Sequence, residues 1–412
     1  MSPKITQWCW RWHVIAGLLS LPFVILLTVT GIVYMFKAEV NHYFYHHMTE
    51  VTPQLSQPLS YEQQLASVQR FRSLPVVSLT LASNANQASV FRLKGKGRTK
   101  HLVYIDPYTG TMMGEFKQAD SLMYNIRKLH GELLLDKPGT LVVELIASWF
   151  IVLLITGLII WWPSTKQLAG VFSIRFNASR RILWRDLHAV TSFWIGLILL
   201  IVIAGAMPWT DVFGTNLKRV QKITDSGYPM AWRSDKGVSS QIVGRPLTLD
   251  EMVLKAQSQS LQGVIEIKLP QKGESPFKVS NRSFWLSDQQ VMYFDQYSGE
   301  VLKQLTWNDV GILMDMRQVF MRLHQGEYGR ANWWILLIGC VLFLMANIAS
   351  IIAYVKRKPR QRFGIPAVPK SFKMGYGLLL LIALLAVVFP LFGLSVILIV
   401  GGQYVFKKRL SA

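Results

Sequence analysis

Long apolar runs divide the chain into membrane and non-membrane parts. Runs of about 18 or more apolar residues can cross the ~30 Å hydrocarbon layer of a bilayer as helices. Four such runs are present: Val14–Phe36, Thr140–Trp162, Ala189–Trp209 and Trp333–Val355. Glu144 is the one charged residue inside them. The pattern predicts an integral membrane protein.

A fifth apolar block, from Phe372 to Phe406, is too long for one span. A single helix over this block would be about 52 Å long at 1.5 Å per residue. Pro390 and Gly393 lie near its middle. The block therefore favours a C-terminal helical hairpin, which gives six spans; the alternative is a single element and five spans.

The first run has a second interpretation, as a cleaved secretory signal. Lys4 and Arg11 precede it, as positive charges precede the apolar core of a signal peptide. The run is longer than such a core usually is, and no A-x-A cleavage pattern follows it. We therefore expect a retained span.

The charge is distributed unevenly between the connecting segments. The net charge is +21, which raises the possibility of nucleic-acid binding. However, the short segments 163–187 and 356–373 carry twelve Lys and Arg against one acid, whereas the long segments 37–139 and 208–332 are nearly balanced. Short basic loops stay in the cytoplasm and long balanced ones can be exported. The N-terminus is thus expected in the cytoplasm, and the basic charge indicates orientation and contact with anionic lipid, not nucleic acid.

The two long segments resemble each other. "PLSYEQQLASVQ" in the first matches "PLTLDEMVLKAQ" in the second, and each begins with a Ser or Thr that can cap a helix. "YIDPYTGTMMGEF" likewise matches "YFDQYSGEVLKQL", with an Asp and a Gly typical of a turn. Short alternating segments between them predict strands. Each long segment is therefore expected to form a small α+β module, a helix against an antiparallel sheet.

The duplication extends into the membrane, so that a span–module–span unit occurs twice. The expected fold is an α-helical polytopic membrane protein with two exported α+β modules and a C-terminal helical hairpin. In chain order the predicted parts are the N-terminus and first span, 1–36; module 1, 37–139; second span, 140–162; cytoplasmic basic loop, 163–187; third span, 188–209; module 2, 210–332; fourth span, 333–355; cytoplasmic basic loop, 356–373; and the hairpin, 374–412.

Four of the eight histidines occupy repeated positions. His13 and His188 precede outward-going spans, so they are expected near the cytoplasmic face. His130 and His324 precede inward-going spans, so they are expected near the outer face. Small residues follow His13 on its helix face, among them Ala16. Two histidine pairs, one in each leaflet, would suit two bis-histidine haem b groups.

Other interpretations of these histidines stay open. An intramembrane proton relay uses similar residues. Zinc is disfavoured, because no Cys or carboxylate cluster completes a tetrahedral site. The outer pair lies nine or ten residues before the corresponding spans, which predicts short helices ahead of them and an outer haem edge close to water.

The remaining histidines and the two cysteines offer weaker candidates. His42, His46 and His47 follow the first span, where they would bind metal, flank the acceptor site or join an aromatic interfacial belt. His101 is expected in a solvated basic hairpin. Cys9 and Cys340 lie outside both exported segments, so no disulfide is expected there. No hydrolase motif or dinucleotide-binding motif appears in a usable context.

Together, these motifs resemble the PepSY-associated transmembrane family over nearly the whole chain. The resemblance is carried by "WRWH", "LHGELLLDKPG", "DLHA", "RLHQGEYG" and "FPLFGLS", and the "YIDPYTG" and "YFDQYSG" modules look like PepSY domains. The family includes bacterial inner-membrane di-haem reductases of ferric siderophores.

The resemblance implies two bis-histidine haem b groups held by His13, His130, His188 and His324, and electron transfer to a ferric siderophore or other ferric chelate in the periplasm. The electron donor would be quinol or a cytoplasmic reductase. The alternatives are a non-catalytic membrane protein whose PepSY modules bind or regulate a periplasmic partner, and a transporter.

Overall fold

The computed structural model describes residues 3–95, 100–162, 170–357, 364–369, 372 and 374–410, with the backbone alone from 404 onwards. Residues 96–99 of the predicted basic hairpin, and parts of both basic loops, lie outside the described residues. The chain forms two compact units. One comprises residues 1–35, 126–220 and 316–412, and the other comprises residues 36–125 and 221–315.

The first unit, here called the membrane unit, is helical. Its longest helices are α1 (Pro3–Met35), α5 (Lys137–Trp161) and α12 (Gly329–Arg357). The other helices, some of which extend into the second unit, are α4 (Leu122–Glu132), α6 (Arg180–Trp194), α7 (Gly196–Ala206), α8 (Val212–Ile223), α11 (Ile312–Gln325), α13 (Tyr376–Val388) and α14 (Pro390–Leu410). α1 packs against α5 and α12, and α12 packs against α6.

Within the described residues, three helices are long and apolar enough to cross a membrane: α1, α5 and α12. A fourth span is formed if α6 and α7 are counted together. The predicted third span is therefore not one straight helix, because α6 and α7 meet at an angle of 59°. The break falls at Ile195, and glycine at position 196 begins α7, where the backbone is least restricted.

The C-terminal block is divided where the sequence predicts. α13 ends at Val388, α14 begins at Pro390, and the two helices pack together. α13 is only about 20 Å long at 1.5 Å per residue, shorter than a bilayer core. By length and composition, the pair does not establish two further spans, so the structure supports three or four spans where the sequence predicts six.

The two carboxylates nearest the spans are both paired. Glu144 on α5 is 1% exposed, and it accepts hydrogen bonds from the N–H groups of Val212 and Phe213 at 2.8 and 2.9 Å. It therefore caps the N-terminus of α8 from another helix. Asp186 on α6 is fully buried and accepts hydrogen bonds from the guanidinium groups of Arg175 and Arg185. Both acids thus stabilise local structure.

The second unit, here called the sheet unit, contains a single antiparallel sheet. Its helices are α2 (Lys37–Thr49), α3 (Tyr61–Phe71), α9 (Met230–Arg233) and α10 (Leu249–Ser258). Its strands are β1 (Val76–Thr80), β2 (Ser89–Leu93), β3 (His101–Ile105), β4 (Met112–Lys117), β5 (Val264–Lys268), β6 (Phe277–Arg282), β7 (Val291–Phe294) and β8 (Val301–Leu305).

The strand order in the described residues is β4-β3-β2-β1-β5-β6-β7-β8. The two predicted modules therefore contribute four strands each to one eight-stranded sheet, joined where β1 pairs with β5. The fully buried side chains of Leu79, Phe91, Ile267 and Val279 come from both halves and form a common core. Continuous pairing and a shared core explain why two repeats fold as one unit.

The helix caps and turns expected from the sequence are present. Ser60 and Thr248 begin α3 and α10 with complete capping boxes, which use the side chains of Gln63 and Glu251. The turns between β3 and β4 and between β7 and β8 contain glycines with φ near +70°, a conformation that favours glycine. These short patterns were predictable because each depends on neighbouring residues.

Candidate haem-binding site

The structure brings the four repeated histidines together as two pairs within the membrane unit. The imidazole rings of His13 on α1 and His188 on α6 have centroids 6.3 Å apart. The rings of His130 on α4 and His324 on α11 have centroids 6.1 Å apart. The angles between ring planes are 61° and 62°. The two sites therefore have almost the same geometry, as expected for a duplicated unit.

The two pairs lie far apart along the bundle. The His13 ring is carried by α1 itself, and the His130 ring contacts Thr30 on the same helix. Positions 13 and 30 are separated by about 26 Å of helix at 1.5 Å per residue. The two pairs are thus well separated along α1.

In the first repeat, the Nδ1 atom of each histidine contacts a threonine hydroxyl. His13 Nδ1 lies 3.0 Å from Thr156 Oγ1, and His130 Nδ1 lies 3.1 Å from Thr30 Oγ1. Each hydroxyl also donates its own proton to a helix carbonyl at 2.7 Å, that of Val152 or Leu26. With the hydroxyl proton directed to these carbonyls, the threonine oxygen accepts from the histidine, and the backbone carbonyls of Leu153 and Leu27 also accept from His13 and His130.

In the second repeat, the corresponding partners are backbone carbonyls. His188 Nδ1 lies 3.1 Å from the carbonyl oxygen of Ala346, and His324 Nδ1 lies 2.8 Å from that of Val202. A carbonyl oxygen can only accept, so both histidines must donate from Nδ1. The hydrogen-bond network therefore assigns one tautomer to all four rings, with the proton on Nδ1 and the lone pair on Nε2.

This tautomer is the one that a metal-binding histidine requires. Metal-ligating imidazoles bind through one nitrogen and usually donate the other N–H to a carbonyl or another acceptor, which fixes the ring orientation. Here the donating nitrogen is engaged in every case, and Nε2 is left as the ligand atom. The four half-buried histidines are thus held as neutral ligands in matched pairs.

The ring spacing suits a metal ion between each pair. A metal–imidazole bond is about 2.0–2.1 Å long and the ring centroid lies roughly 1.1 Å behind the nitrogen, so two imidazoles on opposite sides of one ion have centroids about 6.3 Å apart. The observed 6.3 and 6.1 Å agree with this value. Two histidines on opposite faces are the axial ligand set of a low-spin haem b, so the residues present fit that group.

Two glycines give the rings of the first repeat their space. A Cβ atom at Gly157 would lie 3.1 Å from His13 Cε1, and one at Gly31 would lie 3.3 Å from His130 Cε1. Each glycine directly follows the threonine that accepts the histidine proton. A Thr-Gly pair therefore supplies both the acceptor and the clearance for each ring.

The sequence contained a signal for these pairs that the histidine pattern alone did not reveal. "TVTGIVY" in the first span and "LITGLII" in the second are similar short segments within apolar runs. Each segment contains a threonine followed directly by a glycine within an apolar run. By contrast, the carbonyl partners in the second repeat have no sequence signal, because every residue has a carbonyl group.

The small face beside His13 is used for packing. Ala16 and Ser20 are 3% and 2% exposed, and a Cβ atom at Gly17 would lie 3.9 Å from Leu153 on α5. These small residues let α1 approach its neighbours closely. They therefore position His13 through helix packing.

His130 and His324 lie on the short helices α4 and α11, ahead of the long helices α5 and α12, as their spacing predicts. α4 ends two residues after His130, and the chain then reverses through Leu133, Leu134 and Asp136, all with positive φ. After His324 the reversal uses glycines at 326 and 329. The first repeat thus holds its turn in a conformation that costs non-glycine residues free energy.

The other candidate residues belong to the sheet unit. His42 and His46 are neighbours on α2 with ring centroids 5.6 Å apart, and His42 Nδ1 lies 3.3 Å from a Glu50 carboxylate oxygen. His46 and His47 rings are 6.0 Å apart. His101 on β3 hydrogen-bonds to Glu115 on β4. Among the described residues, no group of three or more His, Cys, Asp or Glu side chains is arranged to hold a metal ion.

Comparison with known families agrees with this architecture. Residues 10–357 match the family model described as the PepSY-associated TM region. The chain belongs to the PepSY-associated TM family. The matched range includes all four paired histidines and both Thr-Gly pairs. No curated protein matched the chain. Family membership and the apolar helices establish that this is a PepSY-associated membrane protein.

Proposed function

We propose that this protein is a haem b oxidoreductase of the bacterial inner membrane. It would take electrons from the cytoplasmic side or the quinol pool and pass them across the bilayer to a ferric chelate, such as a ferric siderophore, in the periplasm. The observation that carries the proposal is the geometry of the two histidine pairs, each with Nδ1 engaged and Nε2 free for iron.

Two haem groups are assigned to the four histidines. His13 and His188 would hold one haem, and His130 and His324 would hold the other. When bound, haem b supplies one-electron redox chemistry that protein side chains do not provide. No further residue is assigned to catalysis.

The chain's own residues would position and tune that chemistry. The hydroxyls of Thr30 and Thr156 and the carbonyls of Val202 and Ala346 keep the proton on Nδ1 and orient each ring. Such outer contacts raise ligand basicity and limit rotation. The apolar helices around them exclude water, which favours a neutral imidazole over its charged form.

The proposed orientation follows from charge. The basic segments 163–187 and 356–373 would lie in the cytoplasm, with the N-terminus on the same side and the C-terminal hairpin completing six spans. His13 and His188 would then lie near the cytoplasmic donor, and the outer pair near the periplasm. Reduction releases iron because hard oxygen ligands hold Fe(II) less tightly than Fe(III).

The absorption spectrum of the purified full chain tests the proposal. A reduced b-type spectrum with about two haems per chain is expected from two bis-histidine sites. A folded, colourless protein would overturn the proposal. It would leave the non-catalytic PepSY protein and the transporter as the remaining functions.

Two single substitutions test the ligand assignment. His13→Ala and His324→Ala are each expected to lose one haem, at the inner and the outer site respectively, and to stop reduction of the periplasmic chelate. His42→Ala is the matched control, because this exposed histidine lies on α2 outside both pairs. Retention of two haems in either test variant would refute the assignment.

A further inference from the structure

The sheet has one apolar face and one basic face. The apolar face is buried in the core together with residues of α3 and α10. On the opposite face, the four middle strands β2, β1, β5 and β6 carry mostly polar side chains, together with Val90 and Val264. The set called here the central basic face consists of Ser78, Thr80, Arg92, Glu266, Lys268, Lys278, Ser280 and Arg282, with Lys100 directly before β3.

Strand register places several cations in one row across this face. Arg92 pairs with Ser78, Ser78 pairs with Lys268, and Lys268 pairs with Lys278. Two lysines directly opposite each other on neighbouring strands repel, which lowers the stability of the sheet. Lys268 and Lys278 therefore face each other at a cost in stability, and this cost suggests that they have a role in binding.

Electrostatic coupling supports the clustering of these charges. Burial lowers the pKa of Lys278, and the nearby positive charge of Lys268 lowers it further. Burial also lowers the pKa of Lys100, with Arg282 and Arg92 adding to the effect and Glu266 opposing it. These cations therefore act on one another across several strands, and an anion placed among them would relieve the repulsion.

Two carboxylates, Asp235 and Glu266, offset part of this charge, since both oppose the lowering of the Lys278 pKa. Glu266 accepts a hydrogen bond from Ser78 at 2.6 Å and lies 3.2 Å from Arg92. Lys278 donates to the carbonyl oxygen of Trp232 at 2.8 Å. In the part of the chain that the structure describes, no ion pair includes Lys100, Lys268 or Arg282. Among the described residues, Lys268 in the row, and Lys100 and Arg282 outside it, thus take part in no ion pair.

The ends of the same face are covered within the sheet unit. At the β4 end, the ring of Tyr45 on α2 contacts Phe116 with centroids 5.0 Å apart. At the β7 end, the hydroxyl of buried Tyr293 donates to the carbonyl oxygen of Ala231 on α9 at 2.7 Å. The four strands of the central basic face, which lie between β3 and β7, span about 14 Å, at roughly 4.8 Å between neighbours. That width suits a compact ligand better than an extended polymer.

We propose that the central basic face is the docking site for the ferric chelate, and that the chelate it selects is a soluble polyanion. This inference rests on the proposed function, which supplies the identity of the docked molecule as a ferric chelate. The cations complement the negative oxygens of a catecholate-type complex, and the hydroxyls of Ser78, Thr80 and Ser280 offer hydrogen bonds to the same oxygens. A neutral chelate would gain little from this surface.

Binding of a redox-inert analogue tests the proposal. The full chain, in nanodiscs of zwitterionic lipid, is titrated with gallium(III) tris-catecholate, a trianion that cannot accept the electron. The variant Lys100→Gln/Arg282→Gln removes two cations of the face, and Arg70→Gln/Lys222→Gln removes two cations elsewhere in the sheet unit. We expect about tenfold weaker binding in the first variant at low salt, and less than about twofold in the control.

Three results would overturn the proposal. The first is that the wild type does not bind the trianion, and the second is that the control variant binds it as weakly as the test variant. The third is that the wild type binds a neutral gallium(III) tris-hydroxamate as tightly as it binds the trianion. Competition by anionic phosphatidylglycerol vesicles would assign the face to lipid instead. The haem spectrum is recorded on the same samples. A wild type that contains both haems but does not bind the trianion refutes the docking site alone, whereas a wild type without haem refutes the proposed function and leaves the binding result standing.

Discussion

The two repeats hold their histidines by different means. In the first repeat, threonine hydroxyls accept the Nδ1 protons of His13 and His130, and in the second, backbone carbonyls accept those of His188 and His324. Each pair joins one histidine of each repeat, and the ring geometry is nearly the same in both pairs. In each pair, a ring that contacts a threonine side chain thus faces a ring held by a backbone carbonyl.

The difference has a consequence for mutation. A hydroxyl can be removed by substitution, but a carbonyl cannot, so the first repeat should respond to changes of polarity in its partners. The second repeat should respond instead to changes in helix packing that shift the carbonyl. Close packing is evident at Gly205, where an added Cβ atom would lie 2.5 Å from both His324 Cβ and the carbonyl oxygen of Phe320.

The largest effect is expected from Gly205→Ala. The backbone of α11 cannot yield as a side chain can, so α7 and α11 must separate and His324 must move. Overpacking of this kind costs roughly 1–3 kcal/mol, which is a factor of about 5 to 150 in occupancy of the outer site. Haem content per chain, measured by absorption, should fall from two towards one.

Gly196→Ala on the same helix is the matched control. No atom lies within 4 Å of the position of its Cβ, so both haems should be retained. Gly157→Ala sharpens the comparison, because its Cβ would meet only the His13 ring, at 3.1 Å, and a ring can shift by a few tenths of an ångström. An outer site unaffected by Gly205→Ala would show that packing does not position His324.

A smaller effect is expected from Thr30→Val and Thr156→Val. Each change keeps the shape of the side chain and removes the acceptor for one Nδ1 proton, which typically weakens metal binding by about 10- to 100-fold. Haem retention on dilution and the midpoint potential of the corresponding site measure this effect. The change should be confined to the outer haem in Thr30→Val and to the inner haem in Thr156→Val.

Two further variants separate polarity from packing. Thr28→Val removes another buried hydroxyl of α1, one that donates to the carbonyl oxygen of Val24. This variant should leave both haems unchanged. Val202→Ala retains the carbonyl that accepts from His324, so the haem assigned to His130 and His324 should be kept. If Thr28→Val lowers haem retention as much as Thr30→Val does, the hydrogen bond to His130 is not the cause.

The sequence predicted features that depend on neighbouring residues. Apolar runs located the long helices, and Ser60 and Thr248 were recognised as helix caps because a capping box needs only four consecutive positions. The duplication placed the four histidines in two pairs by depth. The apolar runs and the caps are local signals, whereas the pairing of the histidines comes from comparing one half of the chain with the other.

Features that depend on distant contacts were not predictable in the same way. The pairing of β1 with β5 joins two modules into one sheet, and nothing in either strand alone indicates that partner. The bend at Ile195 and the carbonyl partners of His188 and His324 are likewise set by neighbouring helices. Gln63 and Glu251, in contrast, could be matched from the repeat alone.

The smallest expected effect concerns the caps of the two repeats. The first repeat closes its capping box with neutral Gln63, and the second uses Glu251, which also pairs with Arg245 at 2.7 Å. The hydrogen bonds from Arg245 and then from Thr248 lower the pKa of Glu251 from 4.5 to about 2. Because the folded pKa is lowered, the stabilisation from Glu251 is complete above about pH 4.5 and is lost as the pH falls towards 2.

The thermal midpoint of Glu251→Gln should therefore lie below that of the wild type at pH 6, and the two should converge near pH 2. Glu274→Gln, which removes an exposed loop carboxylate, should show no such convergence. A constant difference between Glu251→Gln and the wild type from pH 6 to 2 would mean that the charge of this cap does not distinguish the second repeat from the first.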